Sequence, residues 1–485
     1  MFRTSTLLPL IVACALFMEN LDSTVLTTSM PAIARDMGAH PIALKLALVT
    51  YLLSLAVFIP ASGWVADRFG ARRVFRAAIL VFTIGSILCG FSDSLVGLVA
   101  ARALQGVGGA MMVPVGRLIV LRSVPTNEIV VAMAWISIPA LIGPLIGPLV
   151  GGFITTYFHW RWIFWINVPI GVLGLVLATL FVPDIQFTAP GRFDFRGLAL
   201  SGLGLAICVM GATLIGLAGV PWWVGVGLLV FGGLLLAAYW FYARRVPAPL
   251  LNLDLFRVDT FRAGVGGGFM FRVGMGASPF LLPLLLQVIF GLSPFQSGAI
   301  TFIGAGAAML MKFAAPPLIR RFGFRQTLVI SASVGGALAA VPAGFTAQTP
   351  HIVILMILFV GGFFRSLFFT GVNALSYADI KQSMMSAATS LASVSQQVSR
   401  SIGISLAALV LELSMAVRGA DTLSRADFVV AFLAVGVMSL SSVPHFLKLH
   451  RDAGNEAAGR QRPRAPAQSE SAEMAEVPKK PVAST

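Results

Sequence analysis

Apolar runs long enough to cross a bilayer, separated by short polar or basic connections, repeat along almost the whole chain. A hydrocarbon core about 30 Å thick takes roughly 20 residues of helix at about 1.5 Å each. Runs of that kind fall at 7–29, 43–66, 75–91, 95–121, 129–154, 163–182, 197–215, 222–242, 261–290, 297–318, 327–344, 352–372, 385–413 and 428–446. The pattern predicts an all-α polytopic membrane protein of about 14 transmembrane helices. From Leu449 onward the chain turns polar and rich in Pro, Ala and Glu, the composition of a disordered tail.

Composition closes off the soluble alternatives. Of 485 residues, 57% are hydrophobic and 11% charged, against about 25% charged in ordinary soluble domains. The first run carries Glu19 and Asp22 and reads as a span that stays, not as a cleaved leader. Cys14, Cys89 and Cys208 each sit in an apolar run, which excludes a disulfide framework. The excess of 34 Lys+Arg over 19 Asp+Glu would suggest nucleic acid on a soluble chain. Here most basic residues fall on the N-terminal side of the predicted membrane, leaving Arg35, Lys45, Arg161, Arg418 and Arg425 opposite. The positive-inside rule then puts both termini in the cytoplasm, and no nucleic-acid partner is expected. The connections are too short for a nucleotide-binding domain, and neither GxxxxGK nor HExxH occurs. No enzymatic activity, metal or cofactor is expected, and any transport would be driven by gradients.

A repeat divides the chain. Arg68-Phe69-Gly70 follows the second run and Arg321-Phe322-Gly323 follows the tenth, 253 residues later. Two halves of six spans with a two-helix insert account for that offset. The expected parts are a first bundle over 1–182, a linker with two inserted spans over 183–245, a second bundle over 246–448, and a cytoplasmic tail over 449–485.

The segment from Gly63 to Arg73, with Asp67, Arg68, Gly70, Arg72 and Arg73 in place, resembles the G-x-x-x-D-R-x-G-x-R-R signature of the major facilitator superfamily. Further stretches resemble its drug:proton antiporters with fourteen spans. They are Leu21-Asp22-Ser23-Thr24-Val25 with Met30-Pro31, Arg102-Ala103-Leu104-Gln105-Gly106, the fifth-span motif of Gly143, Pro144, Gly147, Pro148, Gly151 and Gly152, and the stretch from Pro249 to Phe256. The resemblance implies the superfamily's fold and export of drugs or metabolites against inward proton flow from the bacterial inner membrane. It also implies a cytoplasmic gate in the Gly63–Arg73 loop, to which Arg117 is added, and an antiporter motif at the interface between halves. Thr27 stands where the family often has Asn, Glu19 where it has an uncharged residue, and Arg320 where the second-half loop would carry an acid.

Asp22 and Glu19 are three apart, hence on one helical face, and an acid in hydrocarbon is a functional candidate by default. Arg102 enters from the other side and reaches nearly the same depth. Together they predict a proton switch in which burial and an approaching guanidinium act on the carboxyl in opposite senses; a static ion pair is the competing reading. Gln105, Phe271, Arg272, Met275 and Arg365 are the expected wall of a substrate cavity. Six basic residues inside spans face Glu19, Asp22 and Glu412, which favours anionic organic acids or their metal chelates as cargo. Lipid and small-molecule substrate are the expected partners of a working monomer. An uptake permease and a membrane scaffold or receptor without flux stay open.

Overall fold

The computed structural model describes residues 4–38, 41–184, 191–215, 220–292, 294–420 and 422–460. Arg3, most of the expected tail, and the side chains of Thr27, Lys45, Pro144 and Pro148 lie outside the described residues.

All regular structure among the described residues is helical. The first half comprises α1 (Thr4–Asp36), α2 (Pro41–Phe58, continuing through a 3-10 turn into Ser62–Phe69), α3 (Ala71–Gly90), α4 (Leu95–Ser123), α5 (Ile129–Tyr157) and α6 (Trp162–Phe181). A hairpin of α7 (Phe195–Leu214) and α8 (Trp222–Ala243) follows. The second half holds α9 (Asp259–Ile289), α10 and α11 (294–322 and 324–340), α12 (His351–Ala378), α13 (Met385–Arg418) and α14 (Arg425–Leu447). Each is long enough to span a bilayer, so the described residues hold fourteen helices of membrane-crossing length.

The separation of α10 from α11 rests on one residue. Gly323 has φ 78° and ψ 167°, which no helix can contain. The two arms then run antiparallel along α12: Gly371 lies against both Ile319 and Leu328, while Gly362 meets Gly304 and Gly361 meets Leu338. Gly70 makes the same break between α2 and α3 with φ 88°. Both sharp turns need a residue without a Cβ, and both fall on the repeated Arg-Phe-Gly.

Within the first half α1 packs on α5, α4 and α6, and α3 on α4; α7 lies against both α2 and α13. Asp194 caps α7 by accepting from the Gly197 N–H at 2.7 Å, and also accepts from the Tyr242 hydroxyl at 2.7 Å and the Leu250 N–H at 3.2 Å. This ties both inserted helices to the strand of chain entering the second half. Outward faces are apolar at helical spacing: Leu80, Ile84 and Leu88 on α3, and Val172, Val176 and Leu180 on α6, are all exposed. In water such stripes would be costly; against lipid they are neutral.

The halves meet at the end of the molecule that carries the Arg68–Arg73 turn, here the basic end. There the lower part of α2 and α4 touch α13, and α5 touches α10 and α12. Trp135 and Phe313 meet edge to face with centroids 6.0 Å apart.

The first residues expected in the disordered tail are instead folded. Arg451–Gly459 forms successive turns under the basic end. Leu449, Ala457 and Ala458 are buried there. Gly454 rests on Phe324 and Ala378, Gly459 sits beside Asn127 of the first half and Arg320 of the second, and Arg460 reaches over Gly323. Polar composition does not prevent packing when the few apolar residues find a crevice.

Candidate functional site

Two neighbouring sites occupy the middle of the molecule. The first is a sealed cluster around Asp22 on α1. Arg102 Nη1 of α4 donates to Asp22 Oδ2 at 2.5 Å and to Gln105 Oε1 at 2.7 Å. Gln105 Nε2 and Asn167 Nδ2 each donate to Asp22 Oδ1 at 2.9 Å. Asn167 also donates to Ser86 Oγ at 3.0 Å, and that hydroxyl to the Phe164 carbonyl at 2.9 Å. The guanidinium carbon of Arg102 lies 4.4 Å from the Tyr51 ring centroid. Asp22 is 3% exposed and Arg102 0%. A charge so placed is tolerable only when paired, and removing one partner costs about 3–5 kcal/mol. Arg102 Nε and Nη2 and the Tyr51 hydroxyl have no hydrogen-bond partner among the described residues.

The second site is a cavity of about 1500 Å³ between the halves. At the basic end it is shut. Ser62 and Ser390 share a hydrogen bond at 2.8 Å, and Arg117 Nη2 donates to Gln396 Oε1 at 3.0 Å. Toward the other end the cavity wall runs as far as Gly298 near the start of α10 and Pro342 beyond α11. Arg117, Arg272, Lys312, Arg365 and Arg400 all line it, with Glu19 the one lining carboxylate among the described residues. Lys312 Nζ donates to Thr370 Oγ1 at 2.7 Å, and Arg272 Nη2 to Asn373 Oδ1 at 2.9 Å. Met275, Phe280, Phe302, Phe369 and Phe432 add apolar surface, the mixture of soft walls and few fixed polar groups suited to small molecules.

Tyr51 stands between the two sites. Its ring faces Arg102, and its hydroxyl packs toward Gly109, which lines the cavity. Glu19 lies one turn before Asp22 on α1, with its Oε2 buried and unpartnered.

Not every expected residue lands where its pattern suggested. Gln105 is fully buried in the Asp22 cluster and not on the cavity wall, because Arg102 three residues earlier shares its face. Phe271 is also fully buried, stacked on Phe368 at 3.9 Å behind the wall. Arg272, Met275 and Arg365 line the cavity. Arg117 does so too while bonding across the halves, so it belongs to both cavity and closure.

In the gate segment, Asp67 Oδ1 accepts from Arg122 Nη2 at 2.9 Å and Asp67 Oδ2 accepts from the Ser386 hydroxyl of the other half. Gly63 lies so close to α13 that a Cβ would come 2.7 Å from Ser390 Oγ and 2.8 Å from the Ser386 carbonyl. Arg72 donates to the Thr179 carbonyl within its own half, and Arg68 and Arg73 are exposed. The fifth-span glycines face inward to their own bundle: Gly143 packs on Asn20 and Leu21 of α1, and Gly147 on Thr24. Gly151 is buried and Gly152 half-buried. The expected interface between halves is therefore not where Gly143 and Gly147 sit; a small-residue strip reveals close helix packing but not which helix it meets.

Sequence reasoning passed over Tyr51, Arg122, Asn167, Ser386 and Gln396. A signal existed for Asn167, an amide alone in an apolar run, which falls under the same cost rule as the intramembrane acids.

A sequence profile described as the Major Facilitator Superfamily matches residues 12–404 and, in an overlapping second match, 264–482. The MdtD protein of Serratia proteamaculans, whose name ties it to multidrug resistance, is 39% identical over 402 residues, covering 83% of this chain and 84% of that relative. The MdtD protein of Pectobacterium carotovorum is 38% identical over 401 residues, covering 83% and 86%. Among solved structures, the human organic anion transporter MFSD10 (TETRAN) superposes with TM-score 0.67 at 14% identity, covering 92% of this chain and 100% of that one. The proton:xylose symporter XylE gives TM-score 0.63 at 14% identity, covering 94% and 99%.

Proposed function

The chain belongs to the major facilitator superfamily, and we propose that within it the protein is a proton-coupled antiporter, exporting small molecules from the cytoplasm across the bacterial inner membrane. Both termini face the cytoplasm, so the basic end is the cytoplasmic end and the cavity faces outward in this structure. Each chain works alone, with lipid around it.

The observation that carries this reading is a carboxylate, Asp22, held by Arg102, Gln105 and Asn167 out of reach of the cavity that Glu19 lines. A proton reaching Asp22 would neutralise the acceptor of three hydrogen bonds and free Arg102, a discrete change of the kind that can bias two packings of the halves. Glu19 stands on the same helix at the cavity wall as the entry point. The driving force is sufficient: one charge crossing 100 mV is worth about 2.3 kcal/mol, and each pH unit adds about 1.4 kcal/mol.

Cargo is read from the cavity wall. Five cationic side chains against one carboxylate favour anionic organic acids or their metal chelates over lipophilic cations, since opposite charge offsets the desolvation of both partners. The multidrug association of the MdtD relatives fits a wall of this breadth, where Met and Phe surfaces accept many shapes.

Everted membrane vesicles with a trapped pH-sensitive dye test the scheme. Addition of a transported acid should release protons from the acidified lumen in wild type and not in Asp22→Asn. Proton-driven transport retained by that variant would refute the assignment of Asp22.

A further inference from the structure

The two flanks of the cavity differ. On one, the inserted hairpin covers the seam between α2 and α13. A Cβ on Gly202 of α7 would come 3.0 Å from the Val57 carbonyl of α2, and the Ser405 hydroxyl of α13 donates to the Ala212 carbonyl of α7 at 3.1 Å. On the other flank α5 and α10 meet through Trp135 and Phe313 toward the basic end. Beyond that contact Leu149 of α5 and Phe302 of α10 both line the cavity, yet are 60% and 49% exposed. Each also belongs to an outward-facing stripe. Phe153, one turn beyond Leu149, and Leu310 and Phe313, two and three turns beyond Phe302, are exposed without lining the cavity. Leu149 and Phe302 are therefore shared between cavity and lipid, the two lips of a lateral slot.

From the slot α10 leads inward. Phe302, Ala305, Ala308 and Lys312 all line the cavity, and Lys312 lies about 15 Å along the helix axis from Phe302. α12 runs beside α10 in matching register: a Cβ on Gly362 would strike the Gly304 carbonyl, the Ser366 hydroxyl donates to the Ala308 carbonyl at 2.6 Å, and Lys312 Nζ donates to Thr370 Oγ1 at 2.7 Å. This seam fixes an ammonium group at the inner end of an apolar run. Thr370 is its one acceptor among the described residues, although an ammonium carries three N–H donors, and a buried cation without a counter-charge is costly.

Resting on the anionic-cargo reading above, we infer that this wall binds a single-tailed amphipathic monoanion. Its head group sits on Lys312, and its hydrocarbon tail lies along Ala308 and Ala305 and leaves between Leu149 and Phe302 into the outer leaflet. The head supplies the charge that Lys312 lacks, and the tail stays in apolar surroundings along its whole length. The hairpin keeps lipid out of the opposite seam, so the cavity meets the bilayer on one flank. Release into the outer leaflet is the export step of the antiport, and the proton's route through Glu19 and Asp22 on α1 is separate from it.

Alkyl sulfonates stay ionised across the working pH range and test head and tail separately. In everted vesicles decanesulfonate should drive proton release above the Asp22→Asn background. Decane-1,10-disulfonate, with the same chain, should fail, because its second charge would have to enter hydrocarbon. Lys312→Met should raise the KM for decanesulfonate about tenfold or more, and Lys312→Arg should recover most of that loss. Leu149→Trp narrows the slot and should raise the KM for decanesulfonate about tenfold, with a much smaller change for ethanesulfonate. A decanesulfonate carrying a diazirine at its tail should label the segments around Leu149 and Phe302 of the full-length protein in lipid nanodiscs. Disulfonate transported as well as monosulfonate, a tail label placed elsewhere, or Leu149→Trp acting equally on both chain lengths would overturn the single-tailed inference and leave anionic cargo standing. No proton release with any sulfonate, with tetraphenylphosphonium releasing protons instead, would overturn both.

Discussion

At the scale of single residues, Asp22 is defined by its donors. Both carboxylate oxygens are occupied, one by Arg102 and the other by the amides of Gln105 and Asn167. Asparagine keeps an oxygen for Arg102 but removes its counter-charge and sets an amide donor against those of Gln105 or Asn167, so Asp22→Asn should still fold but melt below wild type while uncoupling transport. Asp22→Leu removes every acceptor and strands Arg102; a loss of about 3–5 kcal/mol in stability is expected, measurable as a large fall in melting temperature in detergent. The pairing of Asp22 with Arg102 was legible from depth along two antiparallel spans. The identity of the remaining donors was not, because helical periodicity says which residues share a face and leaves open whether that face meets a cavity or another side chain. Gln105 shows this: its face is set by Arg102, yet its amide turns to a carboxylate and not to solvent.

The elements were mostly legible, since each needs only length and an apolar run. Even the fold-back between α10 and α11 was foreshadowed by the repeated Arg-Phe-Gly, whose glycine alone permits the turn. Helix partners were not legible. Gly143 and Gly147 bring α5 onto α1, whereas Gly63 makes a close approach between halves, on α13. Gly63→Leu should therefore wedge the halves apart at the basic end. A cysteine placed at Gln397, which lines the cavity, should become more reactive to impermeant reagents applied from that end, and transport should stop. Asp67→Asn is milder: it weakens one charge-assisted hydrogen bond across the halves, worth about 1.5–3 kcal/mol, and should raise the same reactivity without abolishing transport. In the inserted hairpin, Gly211 has the Gly225 carbonyl 2.6 Å from where a Cβ would sit. Gly211→Leu should split α7 from α8, and limited proteolysis of the connection should accelerate.

The whole molecule is two bundles joined at one end and parted at the other, with the cavity between them. Composition made the membrane inescapable, and basic-residue bias pointed to an orientation; which end is closed depends on contacts between residues hundreds of positions apart, such as Ser62 with Ser390. On the antiport reading proposed above, the transport cycle would exchange these contacts for a set at the opposite end. Residues 449–460 lie across that seam, resting on Asn127 of one half and on Arg320 and Phe324 of the other. Each turnover of such a cycle would unseat them. On that reading, residues 449–460 would lift and settle in step with export. A donor fluorophore on the C-terminus and an acceptor at Asn127 would blink with the working stroke, while a bulky fusion there should slow it.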